Sequence, residues 1–258
     1  MFYELGKWLN ELNVAGAGMF QYISFRSGLA LITALFISMV SGKRIIQYLS
    51  AKQIGELVRD LGLEGQVQKA GTPTMGGIII LAAIIIPTLL FARLDNVYII
   101  LMLLTTVWLG LIGFLDDYIK VFRKNKEGLA ARFKVIGQVI LGLIVALVLF
   151  YNPNVVVGEK TLVKTSEITA KDSILSAKDI GSQDGMTYKY AESRQPTTTI
   201  PFVKNNEFNY QWLVGWMGEA GNRWTWLVFA LVVIFIVTFI SNGANLTDGL
   251  DGLATGTS

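Results

Sequence analysis

The chain has 258 residues, of which 52% are apolar and only 16% charged, and its mean hydropathy is +0.50. Soluble domains carry about 25% charge, so an ordinary water-soluble fold is excluded and a membrane protein is expected. The net charge of +3, from 22 basic and 19 acidic residues spread along the chain, offers no basic stripe for nucleic acid. With no His and no Cys, disulfides, Cys/His zinc sites, thiol nucleophiles and Ser-His-Asp chemistry are excluded as well, so any reaction must use carboxylates, lysines, amides and hydroxyls.

A bilayer crossing needs roughly 20 mainly apolar residues, because hydrocarbon offers no partner to an open backbone group. The first span is expected at Ile23–Ser41, with Arg26 near its start snorkelling to the headgroups. The segment does not resemble a cleavable leader, because the basic pair Lys43-Arg44 follows the apolar run. Four charge-free windows follow: 23 residues between Lys69 and Arg93, 20 between Asp95 and Asp116, 24 between Lys134 and Glu159, and 24 between Arg223 and Asp248. The expected fold is therefore all-α and membranous, with five transmembrane helices.

Five crossings alternate sides, so the segments 42–75, 116–134 and the one after the fifth span share a compartment. The first two hold Lys43, Arg44, Lys52, Arg59 and Lys69, and then Lys120, Arg123, Lys124, Lys126, Arg132 and Lys134, whereas the loop at 92–97 holds only Arg93. By the positive-inside rule the shared side is cytoplasmic. The expected organisation is thus four spans with their cytoplasmic loops over residues 1–151, an extracytoplasmic insert over 152–223, and the fifth span with the start of the next cytoplasmic loop over 224–258. The insert is polar, with β-leaning runs at 155–157 and 197–200 that suggest a hairpin or two around a flexible middle at 170–193. Tyr210, Trp212, Trp216, Trp224 and Trp226 are expected to form an interfacial aromatic belt.

Three polar strings stand out at the cytoplasmic ends. Lys69-Ala70-Gly71-Thr72-Pro73-Thr74-Met75-Gly76-Gly77 precedes span two; it is ordinary loop-to-helix punctuation, and equally a lysine beside a helix N-terminus, which favours an anion. Asp116-Asp117-Tyr118 closes span three, with Lys120 one turn on. Adjacent carboxylates repel unless a cation or proton relieves them, and Mg²⁺, which takes one or two carboxylates plus substrate phosphates, would do so. Span five leads into Asn242, Asn245, Asp248 and Asp251 at a three-residue spacing, which places them on one face of a helix. Lysines, acids and glycines converging on one membrane face suit phosphoryl transfer, where catalysis is chiefly positioning and neutralisation of oxygen charge.

The strings KAGTPTMGG, Asp116-Asp117-Tyr118 and NLTDGLDGLA closely resemble the phospho-N-acetylmuramoyl-pentapeptide-transferase family, within the polyprenyl-phosphate sugar-1-phosphate transferases. The resemblance implies Mg²⁺-dependent transfer of phospho-MurNAc-pentapeptide from UDP-MurNAc-pentapeptide to undecaprenyl phosphate, giving lipid I and UMP for peptidoglycan. It also implies a multi-pass protein of the bacterial inner membrane with cytoplasmic catalytic loops, and a homodimer as a candidate assembly.

Carried over residue by residue, it makes Asp116, Asp117 and Asp248 the catalytic acids, with Asp117 nearest the metal. Lys69, Thr74, Lys120, Lys134, Asn242, Asn245 and Asp251 become substrate-binding residues. The resemblance further implies about ten spans, so that this chain corresponds to the N-terminal portion, inactive alone, with a further metal-binding aspartate and a His-rich loop to follow. The sequence departs from the family at Gly62-Leu63 and Gln66, where Gly-Pro and His are usual. The rival within enzymes is a UDP-GlcNAc:polyprenyl-phosphate GlcNAc-1-phosphate transferase. The rival of another class is half of a transporter, whose acids would lie at the bilayer midplane.

Overall fold

A computed structural model describes residues 1–51, 75–123, 128–164, 186–193, 196–200, 207–215 and 218–248. The chain divides into two compact units, Met1–Leu141 with Ile240–Ser258, and Gly142–Phe239.

In the first unit a short helix, α1 (Phe2–Glu11), and a 3₁₀ turn (Ala17–Gln21) precede α2 (Ile23–Ala51). This first span is longer than expected: Lys43 and Arg44 continue the helix rather than starting a loop, since nothing in the run to Ala51 breaks it. Arg26 does not snorkel. It is buried at 8% exposure, donates to the Phe91 carbonyl at 3.1 Å and lies 4.8 Å from the centre of the Tyr3 ring. The carbonyl is an orphan at the end of α3, and a helix C-terminus favours a cation.

α3 (Gly77–Phe91) is shorter than the expected window, its 15 residues rising about 22 Å. Among the described residues four helices are long and apolar enough to cross a membrane, and α3 is a shorter apolar helix. It begins late, after Met75 in a left-handed conformation at φ +72°, and ends at Ala92, which is extended. The part of the expected window before Met75 lies outside the described residues.

α4 (Val97–Phe122) starts on an Asn96 side chain that accepts from the Tyr98 amide at 2.9 Å, an N-cap geometry. It runs six residues past Asp116, so Asp116, Asp117 and Lys120 are helical. α5 (Ala131–Tyr151) returns antiparallel, and Lys134 too is helical. Two of the contacts between these helices are made at Gly137. Trp108 Nε1 donates to the Gly137 carbonyl at 3.0 Å, and the space where Gly137 lacks a side chain is filled by Ile112. Close approach at a small residue is how helices associate in lipid, where hydrophobicity itself gives no preference for protein over acyl chain. At the far ends of these helices Leu49 and Met75 are buried together, with Ile45 and Val121 packed against them. Many large side chains elsewhere on the helices are exposed, Phe36, Met39, Met102 and Ile240 among them, as expected of surfaces solvated by lipid.

The second unit contains the rest of α5, most of α7 (Glu219–Asp248), a short helix α6 (Gln211–Val214) and four strands. β1 (Val157–Lys164) pairs antiparallel with β2 (Met186–Ser193), and β3 (Thr197–Thr199) with β4 (Glu207–Asn209). β2 occupies part of the stretch expected to be flexible; residues 165–185 lie outside the described residues. Tyr210 departs from the expected belt. It is buried, its hydroxyl 2.8 Å from Thr198 Oγ1 and its ring against Phe208 and Phe229. Trp212 and Trp224 are exposed and Trp226 is half-buried, while Trp216 lies outside the described residues.

Candidate functional site

Among the described residues of the first unit, Asp116 is the centre of a cluster of charge. It is 9% exposed. Its Oδ2 pairs with Lys120 Nζ at 2.9 Å and its Oδ1 with Lys134 Nζ at 2.9 Å, and Oδ1 also accepts from the Leu129 amide at 2.7 Å. Lys120 is four residues on along α4, so helical geometry alone brings it over the acid, in the favourable order of acid before base. Lys134 comes from the first turn of α5, and Leu129 from the connection between the two helices. A carboxylate taken this far out of water is tolerated only when its lone pairs are satisfied, and here three donors do so.

The connection needs a glycine to make this contact. Gly128 has φ +68°, and a Cβ there would run into Asp116 Oδ1 and come within 2.8 Å of Lys120 Cε. Positive φ is nearly free for glycine and costly for other residues. Both the turn and the close approach therefore require it.

Asp117 is half-buried beside Asp116. Lys120 and Lys134 already relieve the charge on Asp116, and among the described residues no three Asp, Glu, His or Cys side chains gather as metal ligands. As a hard-oxygen carboxylate Asp117 fits Mg²⁺ as one ligand completed by substrate phosphates, the usual habit of that ion.

From α7, Asn242 Nδ2 donates to Gln138 Oε1 at 2.8 Å, and Gln138 Nε2 donates to Ser241 Oγ at 3.0 Å. Gln138 lies one turn after Lys134 on α5, so this amide cluster ties the end of α7 to the helix that carries a site lysine. Asn242 is thus built into a helix–helix contact. Asn245, three residues on, is exposed, and Asp248 is the last residue of α7. Lys69, Thr74 and Asp251, with Gly62, Leu63 and Gln66, lie outside the described residues. The end of the glycine-threonine string is described: buried Met75 packs with Val121, the residue after Lys120. Gly76 and Gly77 have open space where a Cβ would stand, so neither is required for close approach.

Gly128, the Leu129 amide, Gln138 and Ser241 were not singled out in the sequence. Gln138 carried a readable signal, since it is a polar side chain inside a charge-free window and such residues usually face a partner. Gly128 carried a weaker one, as the glycine in a short charged connection.

A family model described as phospho-N-acetylmuramoyl-pentapeptide-transferase signature 1 matches residues 69–81. The phospho-N-acetylmuramoyl-pentapeptide-transferase of Parabacteroides distasonis is 58% identical over 258 residues, covering all of this chain and 58% of the relative. The protein so named in Flavobacterium psychrophilum is 52% identical, covering all of this chain and 61% of the relative, and that of Porphyromonas gingivalis is 53% identical, covering 58% of the relative. Along its whole length the chain is similar to phospho-N-acetylmuramoyl-pentapeptide-transferases. It spans about three-fifths of the length of these relatives. This similarity and the four apolar helices among the described residues support a multi-pass membrane protein.

Proposed function

We propose that this chain forms part of a transferase that moves phospho-MurNAc-pentapeptide from UDP-MurNAc-pentapeptide to undecaprenyl phosphate. A phosphate oxygen of the lipid attacks the sugar-bearing β-phosphorus, the bond from that phosphorus to the bridging oxygen breaks, and UMP leaves. The site lies at the cytoplasmic face of a bacterial inner membrane, where a half-lipid acceptor and a soluble sugar nucleotide can meet.

One observation carries the reading. Met75, which falls within the matched segment 69–81, is buried with Leu49 in a cluster against which Val121 packs, at the end of α4 that carries Asp116, Asp117 and Lys120. The roles follow from chemistry. Lys120 and Lys134 offer ammonium charge to phosphate oxygens in exchange for Asp116, which holds them in position between turnovers and is the group placed to take a proton from the attacking phosphate. Lys69, Thr74, Asn245, Asp248 and Asp251 complete the nucleotide and pyrophosphate pocket. Mg²⁺, held by Asp117 and substrate phosphates, supplies further neutralisation of oxygen charge when bound.

A transporter is less well supported. Asp116 is 19 residues from the start of α4, about 29 Å along a helix, against a hydrocarbon core of about 30 Å. That is the depth of an interface, not of the midplane. The deciding experiment offers the intact protein undecaprenyl phosphate with either UDP-MurNAc-pentapeptide or UDP-GlcNAc in the presence of Mg²⁺. Release of UMP with the first alone is expected; release with UDP-GlcNAc alone, or with neither, would overturn the reading.

A further inference from the structure

α1 is unexplained by the transfer reaction, and its side chains divide into three sectors. Phe2, Tyr3 and Gly6 face the protein. The Phe2 ring stacks on Phe20 and Phe91 at centroid distances of 5.9 and 5.2 Å, Tyr3 lies under the guanidinium groups of Arg26 and Arg93 at 4.8 Å each, and the Phe20 side chain fills the space beside Gly6. Glu4, Lys7 and Glu11 form a second sector, fully charged and exposed. Leu5, Trp8 and Leu12 form the third, at the i, i+3, i+7 spacing of one helix face. They are 44%, 56% and 57% exposed. At 100° per residue the charged and apolar sectors are centred about 100° apart.

The depth of this helix is set by its contacts. Arg26 is in the first turn of α2 and Arg93 is two residues beyond α3, so Tyr3 is held at the level where those helices leave the apolar layer. We infer that α1 is an interfacial anchor lying in the plane of the membrane, with Leu5, Trp8 and Leu12 immersed among lipid at the headgroup–acyl boundary and Glu4, Lys7 and Glu11 in water.

Two observations make lipid the occupant. The adjoining α2 and the residue before it likewise present open apolar side chains, Tyr22, Ile23, Leu31, Ile32, Leu35 and Phe36 among them. Three partly exposed side chains are also far short of the about 800 Å² per partner that a stable protein interface needs. An amphipathic helix with a tryptophan on its apolar face and charges on the other suits that boundary.

The chain has no cysteine, so spin labels can be placed singly once any cysteine in the rest of the intact protein is replaced. In the intact protein reconstituted into phosphatidylethanolamine–phosphatidylglycerol vesicles, labels replacing Leu5, Trp8 and Leu12 should collide with oxygen in preference to a water-soluble nickel chelate. Their oxygen-to-nickel ratio should exceed that of labels at Lys7 and Glu11 severalfold. Equal or lower ratios at 5, 8 and 12 would place the stripe in water, and shielding of these three from both reagents would place it under protein, including a second copy; either result overturns the inference.

Discussion

The two ends of α4 both gather charge, and they do so in opposite ways. Before its first turn, Arg93 and Asp95 pair in the open, Arg93 Nη2 to Asp95 Oδ2 at 2.7 Å with each side chain about half exposed. Near its last turn a buried acid takes two lysines and an amide from three places in the chain. An exposed pair contributes little, because water solvates either partner almost as well alone. A buried acid has no such recourse, so each donor becomes a condition on the fold. The end of α4 near Asp116 therefore depends on a glycine and two lysines in a way that the Arg93 end does not.

The largest expected effect is on turnover. Asp117→Asn in the intact protein should slow UMP release about 10²- to 10³-fold, the loss typical when a charge-neutralising group is removed; near-normal turnover would break the distinction between the ends. Next, Lys134→Met leaves Asp116 with one ion pair fewer. Lys134 is itself partly exposed, so the cost is about 1–3 kcal/mol, read as a lower unfolding midpoint in detergent. Gly128→Ala should cost about 1–3 kcal/mol through its backbone conformation and depress transfer as well, because the added methyl displaces Asp116. A Gly128→Ala protein with unaltered midpoint and rate would remove the connection from the site.

Gln138→Leu should be milder, about 0.6–1.7 kcal/mol, as measured for hydrogen bonds between membrane helices. At the other end Asp95→Asn should leave the midpoint at pH 7 unchanged. Arg93 holds the Asp95 carboxyl below its ordinary value through their hydrogen bond. Any contribution is therefore present above the usual carboxylate range and lost as pH falls through the lowered value. Acid titrations of the two proteins should coincide because the pair is open to water, and a separation of the curves above that range would show it stabilises more than its exposure allows.

The long apolar windows made α4, α5 and α7 legible, because lipid demands uncharged length and little else. Arg26 misled: an arginine in a first turn reads as a snorkelling residue, and only the positions of α3 and α1 reveal the carbonyl and the ring that hold it. The window before Arg93 looked as good as the others, yet the described helix there begins only at Gly77, after a left-handed Met75 that hydropathy does not register.

At the site, residue types were legible and relations were not. Asp116 and Lys120 could be paired by helical spacing, whereas the meeting of Asp116 with Lys134 depends on how the 123–130 connection turns. That turn hangs on Gly128. The adjacency of Asp116 and Asp117 gave no sign that two lysines from different helices would pair with Asp116. Nothing in a three-residue spacing foretold that Asn242 would be spent on Gln138 while Asn245 stayed open.

The account rests on α4 and α5 meeting through Asp116 and Lys134, and a double-mutant cycle tests that most directly. UMP release would be measured for intact protein bearing Asp116→Asn, Lys134→Met, or both. Coupling through one shared contact predicts that the double variant is at most slightly slower than the worse single variant, a coupling of about 0.5–3 kcal/mol. Losses that multiply as if the two residues never met would contradict it.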